Sequence, residues 1–206
     1  PGTHFSKGVA PEKVTMKVAV ITPYYKESID ILDQCHKSVS RQTVNVSHVM
    51  VADGHPIEDL NSWHVDHIVL PKSHHDIGST PRLIGCYHAI GLGADAVAFL
   101  DADNWYREDH IETLIDLYKK TGAGFLSSSR ILCRLDGTEM GQCPLTDPES
   151  FIDTNCMMFS RPGYIVLHHW GLMPEYAHLI GDRVMLHHVR QSKLICAHSG
   201  LPTVYY

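Results

Sequence analysis

The chain has 206 residues, 44% of them hydrophobic and 19% charged, with a formal net charge of −6. That balance suits one soluble globular domain with a sizeable core. The acidic surplus, unrelieved by any Lys/Arg run, argues against an electrostatic grip on nucleic acid. No window approaches the roughly 20 apolar residues that span a bilayer, and the N-terminus does not read as a secretory signal.

The first 15 residues carry Pro and Gly, lack periodicity and precede "MKVAVITPYY". With Met16 as a natural start, they are expected to be an expression-derived or disordered leader, and residues 16–206 a single domain. Val18–Ile21 is a short β-rich run. In "SIDILDQCHKSV", Ile29, Leu32, Cys35 and Val39 recur at helical spacing. His48–Ala52 is a second strand, ending in Asp53-Gly54, and His67–Leu70 a third. "STPRLIGCYHAIG" opens on a capping Thr80, with Pro81 at the first helical position, and closes on glycine. Ala96–Leu100 is a fourth strand.

Further on, Ile111, Leu114, Ile115 and Tyr118 mark a helix stopped by Gly122. Strands are expected at Gly124–Leu132 and Cys156–Phe159, a helix at Asp182–Gln191 and a last strand at Lys193–His198. Strands alternating with helices imply an α/β fold with a mostly parallel, doubly wound, Rossmann-like sheet flanked by helices. In such sheets ligands gather beyond the carboxyl ends of the strands. Thr22 and Tyr24, Asp53, and Asp101 with Asp103 all fall there.

The six cysteines include no CxxC pair, and several lie inside apolar runs. Free thiols in a reducing compartment, hence a cytoplasmic protein, are expected. Sixteen histidines include the doublets His74-His75, His168-His169 and His187-His188. None has metal-ligand spacing, so surface or half-buried histidines are expected.

The stretch "AVAFLDADNWY" drives an apolar strand into two carboxylates. Residues i and i+2 of an extended segment share a face, so Asp101 and Asp103 can converge on one partner. A divalent cation with oxygen ligands, Mg²⁺ or Mn²⁺, fits such a pair. A solvated Asp-Ala-Asp-Asn turn is the plainer alternative.

The ordered set "ITPYYKE", "VADG", "TPRLIGCYHAIG", "FLDADNWY", "FIDTNCMMFSR" and "IGDRVM" resembles family 2 inverting glycosyltransferases of the GT-A (nucleotide-diphospho-sugar transferase) fold, over about residues 16–200. The resemblance implies a metal-dependent hexosyl transfer from a nucleotide-sugar, most often UDP-linked, to an acceptor hydroxyl. It makes Asp103 of the DxD motif the ligand of a metal that bridges the two phosphates. Asp101 would contact the ribose, or the metal through water. Thr22 and Tyr24 would hold the nucleobase, with the Tyr24 ring lying against it. Asp53 would accept from the base N–H, although Asp53-Gly54 also reads as a plain turn. Arg82 would face the phosphates or the sugar, where otherwise it is a solvated helix residue.

Inversion needs a base to deprotonate the acceptor hydroxyl. Asp182 matches the family's (E/D)D position, with Gly181 where an acid commonly stands; it also reads as a helix N-cap. His198 matches a late metal ligand, or is a strand-end histidine. Asp153 and Asn155 lie where the family builds its acceptor-side wall. The chain ends at Tyr206, soon after the base helix, so the expectation is a minimal enzyme, a fragment, or an acceptor site completed by a second copy or another partner.

A catalytically silent nucleotide-sugar-binding relative is one alternative. A haloacid-dehalogenase-type phosphatase is another, but it calls for Thr or Val where Trp105 stands and for its motif near the N-terminus. A sugar-nucleotide nucleotidyltransferase calls for a Gly-rich loop after the first strand, which this sequence lacks.

Overall fold

A computed structural model describes residues 16–206 apart from 135 and 146; the expected leader, residues 1–15, lies outside the described residues. Strand β1 (Val18–Tyr24) is buried throughout. It pairs in parallel with β2 (Val46–Ala52) on one side and β4 (Ala96–Phe99) on the other. Strand β3 (Asp66–Val69) continues the parallel array beyond β2. Helices α1 (Ile29–Ser40) and α2 (Ser79–Gly91) connect these strands. Near-continuous apolar strands are what a sheet covered on both faces requires.

Beyond β4 the sheet becomes mixed. Strand β8 (Met157–Ser160) runs antiparallel to β4 and to β6 (Phe125–Cys133). Strand β9 (Cys196–Tyr205) runs parallel to β6 and antiparallel to the short β5 (Trp105–Tyr106). Strand β7 (Glu139–Gln142) pairs with β6 from outside the main path β3-β2-β1-β4-β8-β6-β9-β5. Helix α3 (His110–Thr121) ends at Gly122, as expected, and α4 (Gly181–Gln191) follows a 3-10 stretch.

Three local expectations change. The last strand does not end at His198 but runs on to Tyr205. Ser127 pairs with His198 and Ser129 with Pro202, so an irregularity in register absorbs the Gly200–Pro202 interruption. Thr80 is not the cap of α2: the Asp76 carboxylate accepts from the Thr80 N–H at 2.7 Å, and the helix already begins at Ser79. Asp182 is not the cap of α4 either. The 3-10 turn Glu175–Ile180 leads directly into the helix, leaving Asp182 in its first turn.

The parallel strands deliver their carboxyl ends to one edge. The Asp53 N–H donates to the Tyr24 carbonyl at 2.8 Å, and the Leu100 N–H to the Ile21 carbonyl at 3.1 Å. The loops after β1, β2 and β4 therefore meet there.

Candidate active site

At that edge lies a cleft of about 420 Å³ lined by Tyr24, Asp53, Arg82, Asp101 and Asp103, together with Tyr25, Glu27 and the 73–78 loop. Asp53 sits at its base, 6% exposed. Its carboxylate accepts from the Ser73 hydroxyl at 3.0 Å, the His74 N–H at 3.0 Å and the His74 ring Nδ1 at 2.8 Å. Burial pushes the Asp53 carboxyl up, but the bonds from His74 and Ser73 outweigh it and hold the pKa below its ordinary value. Gly54 makes this contact fit: it has φ +78°, and a Cβ there would meet the Ser73 backbone nitrogen at 2.4 Å.

Arg82 reaches the cleft from α2 and pairs with Asp101. Its Nη1 donates to the Ile77 carbonyl at 2.8 Å, and its Cζ lies 5.0 Å from the Trp170 ring centroid. Ile77 has φ +54°, a strained conformation for a β-branched residue, in the loop that closes this side of the cleft. Asp103 is exposed at the mouth. Protein on its inner side, and then the charges of Asp101 and Glu27, push its carboxyl up.

The other expected residues lie elsewhere. Thr22 is fully buried, its hydroxyl 2.9 Å from His48 Nε2 and 3.8 Å from Cys35 Sγ, so it faces α1 and β2 rather than the cleft. Tyr24 touches the cleft but is only 2% exposed. Its ring packs with Leu32, Met50 and Leu60, and its hydroxyl lies 2.7 Å from His67 Nε2. That ring has no free face for a nucleobase. Tyr25, edge-on to His55 at 4.7 Å and with the Lys26 ammonium 4.8 Å from its centroid, is the less buried of the two rings in the cleft wall. The sequence carried a signal for it, since "PYY" offers two adjacent rings.

His198 lies on β9, 2.9 Å from the Ser127 hydroxyl and 3.4 Å from that of Ser129, and is not among the residues lining the cleft. No group of three or more His, Cys, Asp or Glu poised to hold a metal occurs among the described residues. Asp153 and Asn155 form no wall: they are 9% and 0% exposed and lie beneath Asp101. His74, expected at the surface or half-buried, is half-buried and holds Asp53. The doublets 168–169 and 187–188 meet at the surface, with the His169 and His188 ring centroids 3.4 Å apart.

Asp182 lies in the first turn of α4 and is not among the residues lining the cleft. A Cβ on Gly181 would meet the Trp170 ring at 3.2 Å, and that ring backs Arg82. A Cβ there is tight against the indole, and the further atoms of an acidic side chain would have to be placed past it. Partial burial pushes the Asp182 carboxyl up, against the pull of the Arg183 N–H and of the Arg183 and Arg130 charges.

The fold is similar to that of S. aureus TarS 1–349 in complex with UDP, at a TM-score of 0.71 and 15% identity over 93% of this chain and 60% of that one. The same fragment in complex with UDP-GlcNAc matches at a TM-score of 0.71 and 15% identity, over 93% of this chain and 58% of that one. The chain thus spans less than two thirds of the length of these structures. No curated protein matches its sequence. The mixed sheet flanked by helices is the GT-A fold. The model of glycosyl transferase family 2 matches residues 19–173, and the chain belongs to that family.

Proposed function

We propose that residues 16–206 form one domain that transfers a sugar, with inversion, from a UDP-sugar to an acceptor hydroxyl. The observation that carries this reading is the convergence of Asp53, Arg82, Asp101 and Asp103 on one cleft at the carboxyl ends of β1, β2 and β4. The likeness to structures holding UDP and UDP-GlcNAc supports uridine as the base. Asp53 accepts from the base N–H, with its carboxylate already ordered by His74. Tyr25 lies against the base. Asp101, oriented by Arg82, accepts from the ribose.

The cleft mouth suits a hard divalent cation, Mn²⁺ or Mg²⁺. Its donors are carboxylate oxygens, and the Asp103 carboxyl is pushed up first by partial burial and then by the charges of Asp101 and Glu27, a negative neighbourhood that a cation relieves. Asp103 would hold the ion, which when bound supplies charge neutralisation to the diphosphate. Asp182 is the base: its raised carboxyl is suited to take the acceptor proton as the hydroxyl attacks the anomeric carbon and UDP departs.

No helix among the described residues is long and apolar enough to cross a membrane. All six cysteines are free, which supports a cytoplasmic setting. The test is incubation of UDP-glucose and UDP-GlcNAc with the protein and Mn²⁺, following release of UDP. Release that is abolished in Asp182→Asn while UDP binding persists supports the reading. Absence of UDP binding in calorimetry refutes it.

A further inference from the structure

We propose that Asn155 is a positioning residue that sets the orientation of the Asp101 carboxylate, a role that rests on the nucleotide reading of the cleft. Asn155 is fully buried, 0% exposed, in the 3-10 turn before β8. Its Oδ1 accepts from the Asp101 backbone N–H. Its Nδ2 donates to Asp101 Oδ2 at 3.1 Å and to Asp153 Oδ1 at 2.8 Å. A backbone N–H can only donate, so the amide has one consistent orientation, with its oxygen on Asp101 N and its nitrogen between the two carboxylates.

The other oxygen of Asp101 takes the Arg82 guanidinium. Asp101 is therefore held from both sides, by Arg82 on Oδ1 and Asn155 on Oδ2, and rotation about its Cβ–Cγ bond breaks both contacts. Asp153 is anchored in turn by Arg130 and accepts from the Asn155 N–H at 2.9 Å. The neutral amide is the residue type this position needs. It donates to two carboxylates at once, whereas an aspartate of the same shape would set a third acceptor oxygen against both. Serine is too short to bridge them. The lone pairs left on Asp101 are thereby aimed into the cleft.

The experiment is calorimetric titration of UDP with Mn²⁺ into wild type, Asn155→Ala, Asp101→Ala and the double variant, with unfolding midpoints recorded. Asn155→Ala and Asp101→Ala are each expected to weaken UDP binding about tenfold or more, as loss of a hydrogen bond to a charged group implies. The double variant is expected to bind no more weakly than Asp101→Ala, because Asn155 acts through Asp101. Asn155→Asp, of equal shape but lacking the N–H donors, should fall with Asn155→Ala. If Asn155→Ala does not fold, Asn155→Ser, which keeps a polar side chain but removes the bridging amide, enters the same cycle. Equal losses from the substitution with and without Asp101, or no loss at all, overturn the positioning role and leave the nucleotide reading standing. A wild-type protein that binds no UDP overturns both.

Discussion

His74 holds Asp53 with two groups at once, its backbone N–H at 3.0 Å and its ring Nδ1 at 2.8 Å. The carboxylate is thus held in place by the protein's own donors, which lowers the cost of binding a further hydrogen-bond donor there. Because its pKa is lower in the folded than in the unfolded chain, folding favours the charged form. That contribution is full above the unfolded value of 3.8 and is lost as pH falls through the folded value. Asp53→Asn is expected to cost about 1–2 kcal/mol at pH 7. Urea titrations should show the gap between the two proteins narrowing below about pH 4; a constant gap down to pH 3 contradicts this.

Asp182 carries the opposite sign. Its folded pKa is raised, so the stabilisation it offers is present below the unfolded value of 3.8 and lost as pH rises through the folded value. Asp182→Asn should therefore raise the unfolding free energy from urea titration slightly at pH 7, by less than about 1 kcal/mol given its partial exposure. Sugar transfer should fall about 10²- to 10⁴-fold in the same variant. Retained transfer removes Asp182 from the base role.

At the cleft mouth, Asp103→Ala is expected to uncouple nucleotide binding from the cation. Wild-type affinity for UDP should fall about tenfold or more when Mn²⁺ is replaced by a chelator, a loss of about 1.4 kcal/mol. The variant should bind weakly with or without Mn²⁺. Affinity that is indifferent to both the metal and the substitution would sink the metal assignment.

Gly181 and Trp170 make a steric prediction. Alanine in a helix is favoured over glycine by about 0.8–1 kcal/mol. A Cβ at 3.2 Å from the indole and 3.4 Å from Met173 Sδ asks those groups to yield by a few tenths of an ångström. Gly181→Ala should be nearly neutral in thermal unfolding. Gly181→Glu has further atoms to place against a buried indole and should cost about 1–3 kcal/mol. It should also weaken UDP binding, since Trp170 backs Arg82. A glutamate variant as stable as wild type contradicts this packing.

Much of the fold was legible. The alternation of apolar runs with 3.6-residue periodicity located β1 to β4 and α1 to α4 to within a few residues, because burial on both sheet faces leaves a strong pattern. The strand-end rule then brought Asp53, Asp101 and Asp103 to one place without any knowledge of distances. What escaped was weakly patterned. Strand β5 has two residues, β7 is exposed throughout, and β9 continues through Gly200 and Pro202, residues that normally punctuate.

Within the site, the residue types were readable but their facing was not. Thr22 and Tyr24 stand at a strand end, yet His48, Cys35 and His67, distant in the chain, draw their hydroxyls inward. Asn155 meets Asp101 across 54 residues, a pairing no local pattern records.

The sequence by itself determined the α/β alternation, the strand-end carboxylates and the family pattern, since these follow from local periodicity and residue type. Only the tertiary structure decided which of two adjacent tyrosines is the more deeply buried, how closely Gly181 lies against Trp170, and how Asn155 and Arg82 clamp Asp101. Each of those depends on atoms brought together from separate elements, and side-chain direction at a strand end is set by the neighbours that pack there.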